Sequence, residues 1–408
     1  MEPVRYGIIG INGYGRSHLD AVERLEDEEL THLAGVAEIY PERCRDKLDK
    51  LRSRGVNIYE DYREMLDAQD DLEVVSVPTP IPLHIPMATA CFEKGIHVML
   101  EKPPAVLVQD VDRLIESANE ADCLCQVGFQ NIADECARQL RERIADGQLG
   151  SIQDVVVVGT WRRLDSYYAR AGWAGKVNLG GDWVLDGPLN NPLLHYIHEA
   201  LFLTGQTATT TDRPLRVRAE LYRAHPIQGE DTVCARATLE SGARLHTYLT
   251  LCASEQRLPS IEIFGENGTA WWQPGGFSMT AQDEESECEG DRGGTIDPIR
   301  NFVRVVRGED EQISPLSMTR NVILHNNGCY LSSGQIKPVP KQLVHRYESD
   351  RSGEKGETAT EISGLMDIIA RASRERKLFS ELGVAWARET PEVELNFDHF
   401  DPSELLAE

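Results

Sequence analysis

The sequence predicts an α/β N-terminal domain on a parallel sheet, followed by an α+β domain on a mainly antiparallel open sheet. Three observations predict this. Short apolar runs alternate with amphipathic stretches up to about residue 128. Beyond Gly150 the pattern becomes a series of β-prone runs separated by turn residues. A glycine-rich turn follows the first apolar run and opens the first amphipathic stretch. Apolar strands spaced by helices read as a parallel sheet covered on both faces.

In order, Val4 to Ile9 is a strand, Ser17 to Leu25 a helix, Leu33 to Ala37 a strand and Glu42 to Leu51 a helix. Leu72 to Val77 is a strand closed by Pro78-Thr79-Pro80, and His84 to Lys94 is a helix ended by Gly95. His97 to Leu100 is a strand followed by Glu101-Lys102-Pro103-Pro104, then Gln109 to Glu120 is a helix and Leu124 to Val127 a last strand. In the second part, Asp154–Trp161, Leu215–Tyr222, Thr232–Leu239, Arg244–Leu251, Ile261–Phe264 and Thr269–Trp272 are strands. Turns such as Gly265-Glu266-Asn267-Gly268 separate several of them. A helix spans Pro192 to Leu203. Asp283 to Gly294 reads as an exposed acidic loop, 342 to 358 as a mobile linker, and Glu361 to Leu382 as an amphipathic helix. The expected domains are therefore 1–128, 129–340 and 341–408.

The chain has 408 residues, 67 acidic and 42 basic, for a formal charge of −25. Nucleic acid is an unsuitable partner because phosphate binding needs a clustered positive field. Anionic membrane surfaces are unsuitable for the same reason. No apolar stretch reaches the roughly 18 to 20 residues of a membrane helix, and no secretory leader is visible, so a cytoplasmic location is expected. The nine cysteines include no CxxC pair and are expected to be reduced thiols.

Gly10-Ile11-Asn12-Gly13-Tyr14-Gly15 has the layout of the dinucleotide fingerprint, with Asn12 in place of the middle glycine. Gly10 serves the tight turn and Gly15 the close helix–strand contact, while Gly13 restores room and Tyr14 lies between. The helix N-terminus offers N–H groups to a pyrophosphate. Glu38 follows the second strand, 23 residues after Gly15. A carboxylate there accepts from the ribose hydroxyls and repels a 2′-phosphate, which favours NAD over NADP. The first domain is thus read as a Rossmann domain.

Glu101-Lys102-Pro103, with Thr79-Pro80, His84, Gly95, His97 and Val98, resembles the Gfo/Idh/MocA oxidoreductases. The resemblance continues through Val127-Gly128-Phe129, Gly147 to Gly150, Gly265 to Thr269 and Asn321 to Val339, covering roughly residues 4 to 340. It implies that Thr79, Pro80, His84, Glu101 and Lys102 lie at the cofactor. Gly180-Gly181 to Asp186 is similar to that family's catalytic element, but the position four after Asp186 holds Asn190 instead of histidine. His195-Tyr196-Ile197-His198-Glu199 fits the family's next helix if about five residues, Gly187 to Asn191, are inserted. The resemblance implies catalytic roles for Lys102 and His195, with Asp186 orienting the imidazole or binding a hydroxyl. The insertion leaves Asn190 or Asn191 as alternatives for the Asp186 contact.

The chemistry agrees. An ammonium at Lys102, at the carboxyl end of a parallel strand, stabilises charge developing on a substrate oxygen. An imidazole at His195 suits proton transfer near neutral pH. Arg162, Arg163 and Trp173, with Tyr167 and Tyr168, form a basic and aromatic cluster suited to an acidic or sugar substrate, and Asn190, Asn191 and His198 complete the candidate substrate set. A metal held by Asp186, His195 and His198 is not expected, since the family that the chain resembles generally needs none for hydride transfer.

Three functions remain open. The first is an NAD-dependent dehydrogenase of a sugar, inositol or related polyol. The second is a glycosidase that uses NAD transiently, and the third is a dinucleotide-sensing regulator without catalysis. The resemblance further implies a homodimer or homotetramer through the open face of the antiparallel sheet.

Overall fold

A computed structural model describes residues 2–349 and 356–406. The chain divides into two compact units: residues 1–105, 109–133 and 293–320, and residues 106–108, 134–292 and 321–408.

In the first unit the order is β1 Val4–Ile9, α1 Gly15–Asp27, β2 Thr31–Ala37, α2 Arg45–Ser53, β3 Asn57–Tyr59, α3 Tyr62–Ala68, β4 Val74–Val77, α4 His84–Phe92, β5 His97–Leu100, α5 Val108–Glu120 and β6 Cys125–Val127. The six strands are parallel, in the order β3-β2-β1-β4-β5-β6. The order reverses between β1 and β4, which creates the crevice where ligands of such sheets bind. β3 and α3 are absent from the sequence reading. Asn57-Ile58-Tyr59 is a short edge strand with only partial burial, so it carries no apolar run. Asp61 caps α3 by accepting from the Arg63 N–H.

Residues 293–320 were expected in the second domain, and they return to the first unit. The reason is α9, Ile296–Val306 in chain order, whose apolar stripe Ile299, Phe302 and Val303 joins the core formed by Ile8, Leu19 and Val22.

The second unit begins with α6 Glu135–Ala145 and β7 Ile152–Thr160, then α7 Asp165–Ala169, the small hairpin β8 Asn178–Leu179 and β9 Asp182–Trp183, and α8 Leu194–Leu203. β10 Pro214–Arg223, β11 Thr232–Leu239, β12 Arg244–Thr250, β13 Ser260–Gly265, β14 Gly268–Gln273, β15 Gly276–Ala281 and β16 Glu284–Glu289 follow. After α10 Arg320–Ser333 come β17 Lys337–Pro338, β18 Val344–Glu348, β19 Thr358–Ile362, α11 Leu365–Glu375 and β20 Val393–Glu394. The large sheet runs β16-β15-β14-β13-β7-β12-β11-β10-β17. It is antiparallel except for β7–β12 and β10–β17.

Four expectations are corrected here. The acidic segment after Asp283 contains an edge strand, because its glutamates face solvent and blunt an edge that would otherwise pair with another chain. The thiols are not all reduced: Cys136 and Cys288 form a disulfide, with Cα atoms 5.6 Å apart, across 152 residues of sequence. Folding alone brings α6 to β16, so no local spacing announces the pair. In the expected linker, Val344–Glu348 and Thr358–Ile362 pair as an antiparallel hairpin, and residues 350–355 lie outside the described residues. The helix expected from Glu361 begins after Gly364 and ends at Glu375, with the following residues packing irregularly.

The expected oligomer surface is also changed. Val156, Tyr222, Cys234 and Tyr248 on one sheet face are covered by the chain's own Ile362, Leu365, Ile369, Leu378 and Phe379. The central part of that face is therefore core and is not open to a second copy.

Seven of the nine cysteines are free thiols. Thiol titration of denatured, non-reduced protein is expected to return seven. Replacing Cys136 and Cys288 by Ser is expected to lower stability by about 2–4 kcal/mol, read as an earlier denaturant midpoint.

Candidate functional site

In the first unit the glycine turn closes on itself. Gly10 has φ +87°, and a Cβ on Gly15 would lie 2.1 Å from the Gly10 carbonyl oxygen, so both positions require glycine. Gly13, with φ +58°, has nothing around its would-be Cβ. The first turn of α1 holds no acidic residue and no side-chain cap, so no side chain there offsets the positive dipole end that favours an anion. Tyr14, next to that turn, donates to or accepts from Thr295 at 2.9 Å. Asn12 reaches Cys44 Sγ at 3.7 Å. The Thr79 methyl packs beside Gly10, and its hydroxyl is buried without a partner. Glu38 is 3% exposed, and its carboxylate accepts the Ile11 and Tyr40 N–H groups, each at 2.9 Å. It locks the glycine turn to the end of β2 and keeps lone pairs for a further donor. These features fit a dinucleotide.

The Lys102 end of the sheet is held from behind by a buried chain. Tyr6 OH meets Ser76 Oγ at 2.8 Å, and Ser76 Oγ meets His18 Nδ1 at 3.1 Å. His18 Nε2 meets Glu101 Oε1 at 3.0 Å, and Glu101 Oε2 accepts the Lys102 N–H at 3.2 Å. The sequence reading missed His18, although its place three residues after Gly15 puts it on the inner face of α1. His84 is 1% exposed, with ring nitrogens 2.7 and 2.8 Å from the Pro103 and Thr79 carbonyl oxygens. It ties the loop after β4, with Pro80, to the loop after β5, and so positions the site without a free edge for cofactor.

In the second unit Asp186 is 2% exposed, and Leu185 before it adopts φ +44°, a strained backbone for leucine. The Asp186 carboxylate accepts the Gly175 N–H at 2.6 Å and the Asn191 side-chain amide at 2.8 Å. Asn191 is thus the partner the insertion brings to Asp186. Asn190 is fully buried and builds the loop: its amide donates to Leu185 O at 3.2 Å and its oxygen accepts from Asn326 at 3.1 Å. His195 sits half-buried in the first turn of α8. His198 lies in the interior at 0% exposure, where burial lowers its pKa to about 3 and keeps it neutral, so it does not face substrate.

The inserted loop rests on a group with no signal in the sequence. Glu230 is fully buried, receives the Leu189 N–H at 3.3 Å and the Tyr330 hydroxyl at 3.0 Å, and fills the space a Gly187 Cβ would need. Burial raises its pKa to about 8. A carboxyl raised in the folded state binds its proton more tightly there than in the unfolded chain. Its contribution is complete below about pH 4.5, the ordinary value, and is lost as pH rises through about 8. Between these limits it lowers stability by about 1.4 kcal/mol per pH unit. Glu230→Gln is expected to flatten that slope, as measured by denaturant unfolding at stepped pH.

The basic and aromatic cluster separates into two parts. Arg162 is 7% exposed and hydrogen-bonds Tyr347 of the β18–β19 hairpin, so it serves the tail. Arg163, its neighbour, turns the other way and lies 4.6 and 4.8 Å from the ring centres of Trp161 and Tyr167. Arg170 stacks on Tyr167 and Trp173 at 3.6 and 4.8 Å. Elsewhere His225, Asp231 and Cys252 converge in full burial, but one Asp231 oxygen already takes the Ala224 and His225 N–H groups, each at 2.7 Å. That cluster locks the turn between β10 and β11.

Residues 4–129 match the oxidoreductase family described as having an NAD-binding Rossmann fold, and residues 137–271 match the GFO/IDH/MocA C-terminal domain. A myo-inositol 2-dehydrogenase of Thermotoga maritima is 30% identical over 36% of this chain and 42% of its own length. An alpha-N-acetylgalactosaminidase of Shewanella oneidensis is 30% identical over 31% of this chain and 28% of its own. The chain thus spans less than half the length of these curated relatives. The solved WlbA dehydrogenase of Bordetella pertussis, in complex with NADH and UDP-GlcNAcA, is 25% identical with a TM-score of 0.68, covering 81% of this chain and 96% of that one. The turn at Gly10 to Gly15, the reversal between β1 and β4 and both domain matches agree, and the chain belongs to the GFO/IDH/MocA oxidoreductases.

Proposed function

We propose that this protein is an NAD-dependent dehydrogenase acting on a CH–OH group of a sugar, inositol or related polyol. The observation that carries the reading is the buried chain from Tyr6 to Glu101 that anchors the Lys102 backbone at the carboxyl edge of the parallel sheet. When bound, nicotinamide supplies the hydride acceptor. Gly10, Gly13, Gly15 and the α1 N-terminus hold the pyrophosphate, and Glu38 accepts from the adenosine ribose, which disfavours a 2′-phosphate. Lys102 donates to the substrate oxygen and stabilises negative charge on it. His195 takes the hydroxyl proton, and Asp186, held by Asn191 and Gly175, binds a neighbouring hydroxyl.

The test is a screen of sugars and polyols with NAD and with NADP, following absorbance of the reduced nicotinamide. Oxidation with NAD at a higher kcat/KM than with NADP supports the reading. The relationship to a galactosaminidase favours a second reading, transient oxidation, elimination of the aglycone and re-reduction. Aglycone release with no net NADH would identify it.

A further inference from the structure

The segment after β7 does not hold its own place. α7 is five residues long, and all five are half-buried or exposed. A helix that short has too few internal bonds to persist alone. Yet the segment leads from β7 to Gly175, whose N–H fixes the Asp186 carboxylate at 2.6 Å. Along the way Tyr168, Gly172, Gly175 and Lys176 face Ile227 across a cavity of about 360 Å³. What packs on the segment therefore decides where these groups stand. The turn between β10 and β11 holds its two ends. His225 Nε2 donates to the Arg163 carbonyl at 3.1 Å, and the Gln228 and Gly229 N–H groups donate to the Gly175 carbonyl at 2.8 and 3.0 Å.

The start of α7 rests on the β18–β19 hairpin, which lies beyond residue 340, where the family resemblance ends. Three contacts of different kinds meet there. Leu164 forms an antiparallel bridge with Ala359, so for one residue the segment is a third strand of the hairpin. The Arg162 guanidinium donates to the Tyr347 hydroxyl, which in turn donates to Glu361. Arg346 donates at 2.5 Å to the carboxylate of Asp165, the first residue of α7. An exposed ion pair contributes little by itself. Arg162 is buried, so water does not readily replace a bond lost there. Neighbouring residues of an extended segment point to opposite sides, so Arg162 reaches the hairpin while Arg163 turns to Trp161 and Tyr167.

We propose that the β18–β19 hairpin positions the substrate site, with Tyr347 and Arg346 setting where α7 begins and, through it, the cavity wall and the seat of Asp186. Both are positioning residues that act through the segment. That the segment binds substrate rests on the dehydrogenase reading, which puts Asp186 at a sugar hydroxyl. That the hairpin fixes the segment stands on the three contacts alone.

Peptide-resolved hydrogen exchange on the full chain, with NADH present, would compare the wild type with Tyr347→Phe/Arg346→Met and with Arg346→Lys. In the double variant, amides 163–176 are expected to exchange about 10-fold faster or more, while those of β1, β4, β11 and β12 keep their rates. Arg346→Lys retains the ion pair and is expected to keep the wild-type rate. Arg346 is exposed and Tyr347 half-buried, so the variants should fold, and the unchanged strand amides check that they do. Kinetics follow on a polyol that the wild type turns over, myo-inositol being tried first. KM is expected to rise about 5- to 20-fold in the double variant with kcat within about threefold, because Lys102 and His195 lie outside the segment. A hairpin that only covers the sheet would loosen 344–348 and 358–362 and leave 163–176 protected, which overturns the proposal. Faster exchange spread equally over the sheet overturns it, and so does a loosened segment with an unchanged KM. If no polyol is turned over, the dehydrogenase reading falls, and the exchange of 163–176 alone supports or overturns the hairpin's role.

Discussion

Lys102→Ala is expected to lower kcat by about 10²–10³-fold on whichever sugar is turned over, the usual loss when one donor to a developing oxyanion is removed. kcat and kcat/KM should fall together, because the contact gains strength in the transition state. Dinucleotide affinity should hold, since the glycine turn and Glu38 are fixed by contacts of their own. Lys102→Arg should recover little, because a planar fork does not reproduce a compact ammonium. A variant in which only KM changes would remove Lys102 from the chemistry. The same kinetics on His18→Ala separate positioning from contact: the loss should be smaller, because Glu101 keeps its bond to the Lys102 N–H.

Phe379→Ala is expected to destabilise the second unit by about 3–5 kcal/mol, the usual cost of emptying a large aromatic site. Phe379 is fully buried and stacks on Tyr222 and Tyr248 at 6.3 and 6.5 Å, with Trp386 edge-on at 5.9 Å. It is the centre of the contact between the tail and the sheet face. Phe379→Leu retains most of the volume and should cost less. Both are read as denaturant midpoints. An unchanged midpoint for the alanine variant would mean that the tail does not cover that face in solution, and would reopen it as a surface for a second copy.

The contrast between the two units shows what a sequence can carry. The parallel strands were legible because each is a short apolar run buried on both faces, and the turn at Gly10 was legible because backbone closeness at Gly15 excludes every side chain. Glu38 and Lys102 were legible because they stand at fixed offsets from those strands. β3 was not, because a half-buried edge strand has no run to show. The acidic β16 was taken for a loop because outward charge on an edge strand looks like solvated coil. The sequence offers Asn190 and Asn191 for the Asp186 contact and the structure brings Asn191 there, but Glu230 and Tyr330, which support the same loop, lie 44 and 144 residues beyond Asp186 and carry no local signal.

The sequence by itself determined the two sheet types, the dinucleotide turn, the identity of the charged groups beside it and the helix that carries His195. These depend on periodicity and on contacts within a few residues. The tertiary structure alone decided that Arg162 serves the tail while Arg163 stacks on Trp161 and Tyr167, that His198 is interior, that Cys136 meets Cys288, and that the last segment covers the sheet. Each of those depends on which distant surface arrives against a given residue. Packing of apolar faces sets that arrival, and apolar pattern specifies how much surface is buried without naming its partner.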